Sequence, residues 1–166
     1  MGKVQSIFGN GSAGAISRSV DDIVISVRNG SNVDIPFGAP VFLGEDGAVP
    51  FNTESPQDFD AFLGFAVRIA DKTPDTYPQG QEGDEQAGAW KPDDVMEVLV
   101  RGGIVIPLAA SGTPGGKVFI RKSDGALAAS AGQAGTSVLL ENVRIRNQGN
   151  ASGMYTEVVV NTRNIL

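Results

Sequence analysis

The sequence predicts an all-β protein: a small antiparallel β-barrel or jelly-roll-like sandwich of about ten short strands. Short apolar or alternating runs recur along the 166 residues, and turn-forming residues separate them. The chain contains 22 glycines and 9 prolines, a content that favours tight turns over helices. Its length suits one domain.

The first half of the chain contains five predicted strands. Residues 22–28 form the first, because Ile23 to Val27 are mostly β-branched and Asn29-Gly30 supplies a turn. Residues 61–70 alternate between large apolar side chains and small or charged ones, which is the period of a strand. The other three are predicted at residues 33–37, 41–43 and 48–51.

The second half contains six further candidates. An apolar strand at residues 104–108 is followed by a Gly/Pro turn and a hairpin, in which Asp124-Gly125 supplies the tight turn. The strands of this half are predicted at residues 95–101, 104–108, 118–120, 126–128, 137–145 and 154–160.

The two halves of the chain contain segments of similar sequence. Val41-Phe42-Leu43 followed by Asp46-Gly47 resembles Val118-Phe119-Ile120 followed by Asp124-Gly125. A later pair, Glu97 and Glu157 with the valines that follow them, breaks the offset between the copies. Duplication of a sheet unit and chance similarity between amphipathic hairpins both explain the pattern.

Two segments lie outside this strand pattern. Residues 1–19 are rich in Gly and Ser and contain no acid, so we expect an N-terminal arm attached to a single domain at residues 20–166. Residues 71–94 have no periodicity and contain seven acids and two bases, which predicts a long acidic loop. Within that loop, Trp90 either packs back against the barrel or joins Tyr77 in a contact surface, since Tyr and Trp are enriched at interfaces.

Composition argues against several function classes. The chain has no histidine and no cysteine, which removes His/Cys zinc sites and the common nucleophile–histidine pairs. Its adjacent carboxylates have the spacing of surface charge rather than of a catalytic pair. The net charge of −6 does not favour binding to nucleic acid, which needs clustered lysine and arginine side chains. No apolar run is long enough to span a membrane. We therefore expect no enzyme activity, metal, cofactor, nucleic acid or membrane partner.

Several runs resemble the capsid cement (decoration) proteins of tailed bacteriophages. One extends from Phe62-Leu63-Gly64-Phe65-Ala66-Val67 across the acidic loop to Val98-Leu99-Val100-Arg101-Gly102-Gly103. A second contains Ile106-Pro107-Leu108, Gly116-Lys117-Val118-Phe119 and Asp124-Gly125-Ala126-Leu127. The Gly/Ser-rich arm leading to Ile16-Ser17-Arg18-Ser19-Val20 is also similar to theirs.

The resemblance implies a structural protein that binds the outside of an assembled capsid and reinforces contacts between major capsid protein subunits. Its expected partners are the major capsid protein and further copies of itself, as a dimer or trimer. Its expected location is the exterior of virions assembled in the host cytoplasm. We assign capsid or subunit contact to Lys3, Phe8 and Arg18 of the arm, and possible contact to Tyr77 and Trp90 of the loop.

The alternative function is a carbohydrate-binding β-sandwich module of a phage fibre or an exported protein. Tyr77 and Trp90 would then stack against sugar rings. One tryptophan and two tyrosines in the whole chain are few for that role.

Overall fold

A computed structural model of the chain describes residues 11–69, 88–147 and 155–162, and these residues confirm the all-β prediction. They form antiparallel strands and one short 3-10 helix at Phe59–Ala61, with no α-helix in the described ranges. The strands are β1 (Ile16–Arg28), β2 (Ile35–Pro36), β3 (Pro40–Gly44), β4 (Gly47–Pro50), β5 (Phe62–Ala66), β6 (Ala89–Trp90), β7 (Val95–Pro107), β8 (Lys117–Arg121), β9 (Leu127–Ala128), β10 (Ser137–Ile145) and β11 (Tyr155–Val160).

One nine-stranded sheet contains every strand except β2 and β6, which pair with each other. Its order is β4-β3-β5-β7-β11-β10-β8-β9, and β1 pairs with β7 outside this path. Leu99 of β7 lies opposite both Val24 of β1 and Phe65 of β5, whereas Gly103 lies opposite both Arg18 of β1 and Val159 of β11. Strand β7 therefore has β1 along one edge, and β5 and then β11 along the other.

Strand β7 joins two predicted strands, 95–101 and 104–108, that the sequence analysis separated at Gly102-Gly103. Gly102 has φ +121°, and a Cβ on it would lie 1.9 Å from Asp22 Oδ1. This left-handed conformation lets the chain turn without leaving the ladder, a role typical of glycine in bent strands. The pairing of β1 with β7 shifts register in the same region, between Arg18 and Ile23.

Strand β1 begins at Ile16, six residues before the predicted start at Asp22. Its first residues already pair with β7, since Ile16 lies opposite Ile104. Local propensity did not reveal this part of the strand, because Ser17 and Ser19 interrupt its apolar pattern. The sheet thus begins inside the segment predicted as the arm.

Apolar side chains form two separate cores. The larger one, which we call the interlayer core, contains residues from both ends of the sheet order, so the sheet must curl to bring them together. Its members are Phe42, Phe62, Phe65, Val67, Leu99, Ile104, Ile106, Leu108, Val118, Ile120, Leu127, Leu140, Val143, Ile145, Val158 and Val160. The first-half core contains the residues facing the other way from β3, β5 and β7, together with residues from β2 and β6. Its members are Ile35, Phe37, Val41, Ala48, Leu63, Ala66, Trp90, Met96, Val98 and Val100.

The first half of the sheet curls nearly closed around the first-half core. Asn29, just after β1, forms a bridge with Ala48 of β4, and Gly30 N donates to Ala48 O over 2.9 Å. The two ends of this half therefore meet at one point. Such closure covers part of an otherwise exposed edge.

The two halves share an order of elements. The strand order β4-β3-β5-β7 in the first half corresponds to β9-β8-β10-β11 in the second. The sequence similarity between the two halves indicated the same correspondence. However, Val41 lies in the first-half core, whereas its counterpart Val118 lies in the interlayer core. Equivalent faces therefore meet different surroundings, and duplication stays a hypothesis.

Neighbouring leucines on β10 test the interlayer core. Leu140 is fully buried in it, whereas Leu139 is half-buried and faces the other way. We expect Leu140→Ala to lower the free energy of unfolding by about 2–5 kcal/mol, because it leaves a cavity between the two halves. Leu139→Ala is the matched control and should cost clearly less; equal losses in urea denaturation would contradict the assigned faces.

Candidate interaction surfaces

The structure locates two of the five sequence-predicted contact residues. Lys3, Phe8 and Tyr77 lie outside the described residues. The backbone of Arg18 belongs to β1 opposite Gly103, and its side chain is outside the described part of the chain. Trp90 is fully described. The contact roles of the arm and loop residues therefore stay predictions.

Trp90 is part of the first-half core. Its side chain is 2% exposed, its Nε1 donates to Val67 O over 3.0 Å, and its ring meets the Phe37 ring edge-on at a centroid distance of 6.2 Å. Strand β6, which contains it, pairs with β2 through Ile35. A buried tryptophan with its N–H satisfied stabilises the fold. In this position the ring is not available to a partner, which matches the alternative that Trp90 packs against the barrel.

The two ends of the acidic loop are fixed at the same side of the molecule. Ile69 packs against the first-half core just before the loop. The predicted loop, residues 71–94, contains strand β6 near its end, and just before β6 Gly88 O accepts a hydrogen bond of 3.2 Å from Phe37 N. Residues 70–87, between these two points, are outside the described part of the chain. The described residues on both sides of this stretch therefore lie beside the first-half core, near β2 and β6.

Asn29, predicted from the Asn29-Gly30 pair as a turn residue, is a buried polar residue. It is 0% exposed, and its Nδ2 donates to the carbonyl oxygens of Val33, Trp90 and Lys91 at 3.1–3.2 Å. Its Oδ1 accepts from the backbone N and the Oγ of Ser31. One amide therefore joins the turn after β1 to the end of the acidic loop. Sequence alone offers no signal for this role beyond the Asn-Gly pair.

Charged side chains surround this junction on the surface. Arg28 pairs with Asp93, and Lys91 pairs with Asp34, with all four side chains well exposed. The hydrogen bond to Asp93 raises the pKa of Arg28 above its usual value. Exposed pairs of this kind contribute little to stability, because water screens them. Their effect is to fix the local charge pattern.

The N-terminal arm leaves the body of the protein from a closely packed position. Gly14 N donates to Val105 O, Arg68 N donates to Gly14 O, and Val105 N donates to Ala15 O, all at 2.8–3.0 Å. A Cβ on Gly14 would lie 2.9 Å from Ala66 O and from Phe37 Cβ, so this position excludes any side chain. The base of the arm is therefore part of the folded domain, at least from Ala13, which is 4% exposed.

A buried carboxylate holds the start of β1 against the second half. Glu157 of β11 is 5% exposed and accepts hydrogen bonds from Ser17 Oγ, at 2.9 Å, and from Asn147 Nδ2. Arg146 Nε lies 3.8 Å from its Oε1. A buried carboxylate needs such partners, because desolvation penalises its charge. This contact joins the start of β1 to two segments near the other end of the chain, just after β10 and within β11.

The described residues contain no group of three or more Asp or Glu side chains placed to hold a metal ion. Within the same residues, no helix is long and apolar enough to cross a membrane.

A groove of about 360 Å³ lies beside Gly102 and is lined by Asp21, Asp22, Arg101 and Arg146. Arg101 already pairs with Asp21 there, through two hydrogen bonds of 2.6 and 2.9 Å.

Comparison with known proteins decides the family. Residues 2–161 match the model of a family described as structural cement protein (E217 gp24/Pam3 gp6). This chain is a member of the phage structural cement protein family. Members of this family are structural proteins that associate with capsids, so the resemblance noted in the sequence is confirmed.

A solved structure has a similar fold. It is a chain from "The capsid of Myoviridae Phage XM1", with a TM-score of 0.71 and 17% sequence identity. The alignment covers 97% of the cement protein described here and 96% of the XM1 chain. At this identity the similarity establishes the fold. No curated protein matches the sequence.

Replacing Asn29 tests the junction at the end of the acidic loop. We expect Asn29→Ala to lower the free energy of unfolding by about 2–4 kcal/mol, because it removes a fully buried amide together with its hydrogen bonds to Trp90, Lys91 and Ser31. The matched control is Asn52→Ala, at an exposed turn where Asn52 Oδ1 accepts hydrogen bonds from Glu54 N and Ser55 N. It should lower the free energy of unfolding by less than about 1 kcal/mol. Urea denaturation followed by the fluorescence of Trp90, the sole tryptophan, measures both; similar losses would refute the role of Asn29.

Proposed function

We propose that this cement protein binds the exterior of an assembled phage capsid and reinforces contacts between major capsid protein subunits without catalysing a reaction. The family match over residues 2–161 carries the proposal. A protein that binds the assembled shell, and not the free subunits, stabilises the shell by mass action. Many copies on one particle act together, so a modest affinity for each copy suffices.

In the proposed complex, the N-terminal arm makes the main contact with the shell. Gly14 is clamped between Val105 and Arg68, so the residues before it start from a fixed point. The chain up to Asn10 can span about 30 Å if extended, which is enough to cross from one subunit to the next. Lys3, Phe8 and Arg18 supply charge and one aromatic anchor.

The acidic loop makes the second proposed contact. Its ends are held beside β2 and β6, and its sequence between them contains Tyr77 and most of the loop's acids.

The protein also associates with further copies of itself on the shell. Assembly on the capsid takes place in the host cytoplasm.

Shortening the arm tests the main contact. Deletion of residues 1–10 should lower affinity for particles assembled without this protein by about tenfold or more, since one anchor side chain is worth ~1–2 kcal/mol. The deletion stops before Ala13 because that residue is buried. Occupancy is measured by quantitative mass spectrometry of washed particles.

Two controls accompany this deletion. The urea midpoint must stay unchanged, which shows that the domain still folds. Lys3→Glu combined with Phe8→Ala in the full-length chain should reproduce most of the loss. Unchanged occupancy in both variants would refute the arm assignment, whereas no binding of the intact protein to any particle would refute the proposed function itself.

The position of Trp90 argues against the carbohydrate-binding alternative. Trp90, its main candidate for stacking on sugars, is 2% exposed and hydrogen-bonded within the core. We therefore expect Trp90 fluorescence to be blue-shifted, poorly quenched by acrylamide and unchanged by oligosaccharides. A saturable change with an oligosaccharide would favour the alternative.

A further inference from the structure

Asparagine followed by glycine is a chemically labile pair in an unfolded chain. The backbone N of the glycine attacks the side-chain amide carbon of the asparagine, ammonia leaves, and a succinimide ring forms. Water then opens the ring and leaves aspartate or isoaspartate. Glycine permits the attack best, because it has no side chain and reaches unusual backbone conformations easily. The sequence contains two such pairs, Asn10-Gly11 and Asn29-Gly30, and the second lies wholly within the described residues.

The fold holds the peptide group between Asn29 and Gly30 from both sides. Its carbonyl oxygen, Asn29 O, accepts a hydrogen bond of 3.1 Å from Asp93 N. Its amide, Gly30 N, donates to Ala48 O over 2.9 Å. Ring formation requires this peptide group to rotate and Gly30 N to lose its proton. Both hydrogen bonds must therefore break before the reaction can begin.

The side chain of Asn29 is held as firmly as its backbone. Nδ2, which would leave as ammonia, bonds the carbonyl oxygens of Val33, Trp90 and Lys91 at 3.1–3.2 Å, and Oδ1 accepts from Ser31. The residue is 0% exposed, so water has no access to a ring formed there. The closed junction between the turn after β1 and the end of the acidic loop thus blocks each step of deamidation.

Packing requires both members of this labile pair. A Cβ on Gly30 would lie 2.7 Å from the backbone C and O of Asp46, so position 30 excludes any side chain. At position 29 the side chain must donate on one side and accept on the other, which an amide does and a carboxylate does not. A less reactive pair would not fit the junction.

Deamidation would prevent the junction from closing again. It replaces the Nδ2 donor with a carboxylate oxygen, which would face the carbonyl oxygens of Val33, Trp90 and Lys91 without a proton to share. A buried carboxylate without donors is strongly disfavoured. Isoaspartate also lengthens the main chain by one atom, at a peptide group that is bonded on both sides.

We propose that Asn29-Gly30 is a deamidation site that the fold protects: it is unreactive while the junction is closed, and it is converted to aspartate or isoaspartate once the junction opens. Conversion consumes water and releases ammonia, so it is not reversed when the chain refolds. A copy that stays open long enough is thereby kept from returning to the native state, which makes its unfolding irreversible. This property belongs to the isolated chain and does not rest on the proposed function.

Deamidation rates of the unmodified protein test the protection. Samples are kept in mildly alkaline buffer with and without guanidinium chloride, digested, and mapped by liquid chromatography and mass spectrometry, which separates the asparagine, aspartate and isoaspartate forms. We expect Asn29 to react at least about a hundredfold more slowly in the folded protein, because a native domain is open for on the order of 10⁻³ of the time or less. Asn10-Gly11 is the internal reference in guanidinium chloride, where both pairs should react at similar rates.

Two outcomes of this measurement would overturn the proposal. One is an Asn29 rate that is the same in folded and unfolded protein, which would show that the junction does not protect it. The other is an Asn29 that stays intact in guanidinium chloride while Asn10 reacts, which would show that the pair is not labile.

Asn29→Asp tests whether the product keeps the junction from closing. It supplies the aspartate product directly, and Asn29→Ala is the matched control that removes the amide without adding a charge. We expect the aspartate variant to have a lower urea midpoint than the alanine variant, or no folded state, as followed by Trp90 fluorescence. A midpoint equal to that of the unmodified protein would contradict the one-way character of the modification, and the deamidation rates remain decisive if neither variant folds.

Discussion

The fold depends on β7 being shared by both halves of the sheet. Its first residues pair with β5 and its last residues pair with β11 along the same edge, while β1 follows the other edge past the bend at Gly102. The interlayer core contains residues from both sides of this point, namely Phe65 and Leu99 of the first half and Ile104 and Val158 of the second. Any residue larger than glycine at 102 would meet Asp22.

The segments with candidate functions are attached to the sheet that is built around β7. The base of the arm is held where Gly14 meets Val105 near the end of β7, and the acidic loop begins and ends beside β2 and β6. The sheet thus fixes the points at which the arm and the loop attach, as scaffolds of binding proteins commonly do. For a protein that joins subunits, fixed spacing between contacts is a requirement.

Buried polar residues define where these segments attach. Asn29 ties the turn after β1 to the end of the loop, and Glu157 of β11 ties the start of β1 to Asn147, just after β10. Each spans more than sixty residues of sequence. Such residues cost stability unless every group is paired, so they favour one arrangement of the chain over its competitors.

The amino-acid sequence by itself determined the fold class, most strand positions, the hairpin at Asp124-Gly125 and the family resemblance. These follow from local causes: the strand period, β-branched residues and glycines in turns. Only the tertiary structure decided that 95–101 and 104–108 are one strand, that β1 starts at Ile16, and that Trp90 is core rather than surface. Each depends on a partner distant in sequence, namely Asp22 at Gly102, Ile104 at Ile16, and Val67 at Trp90. Local patterns contain no information about such partners, because long-range pairing, and not propensity, supplies the free energy that selects them.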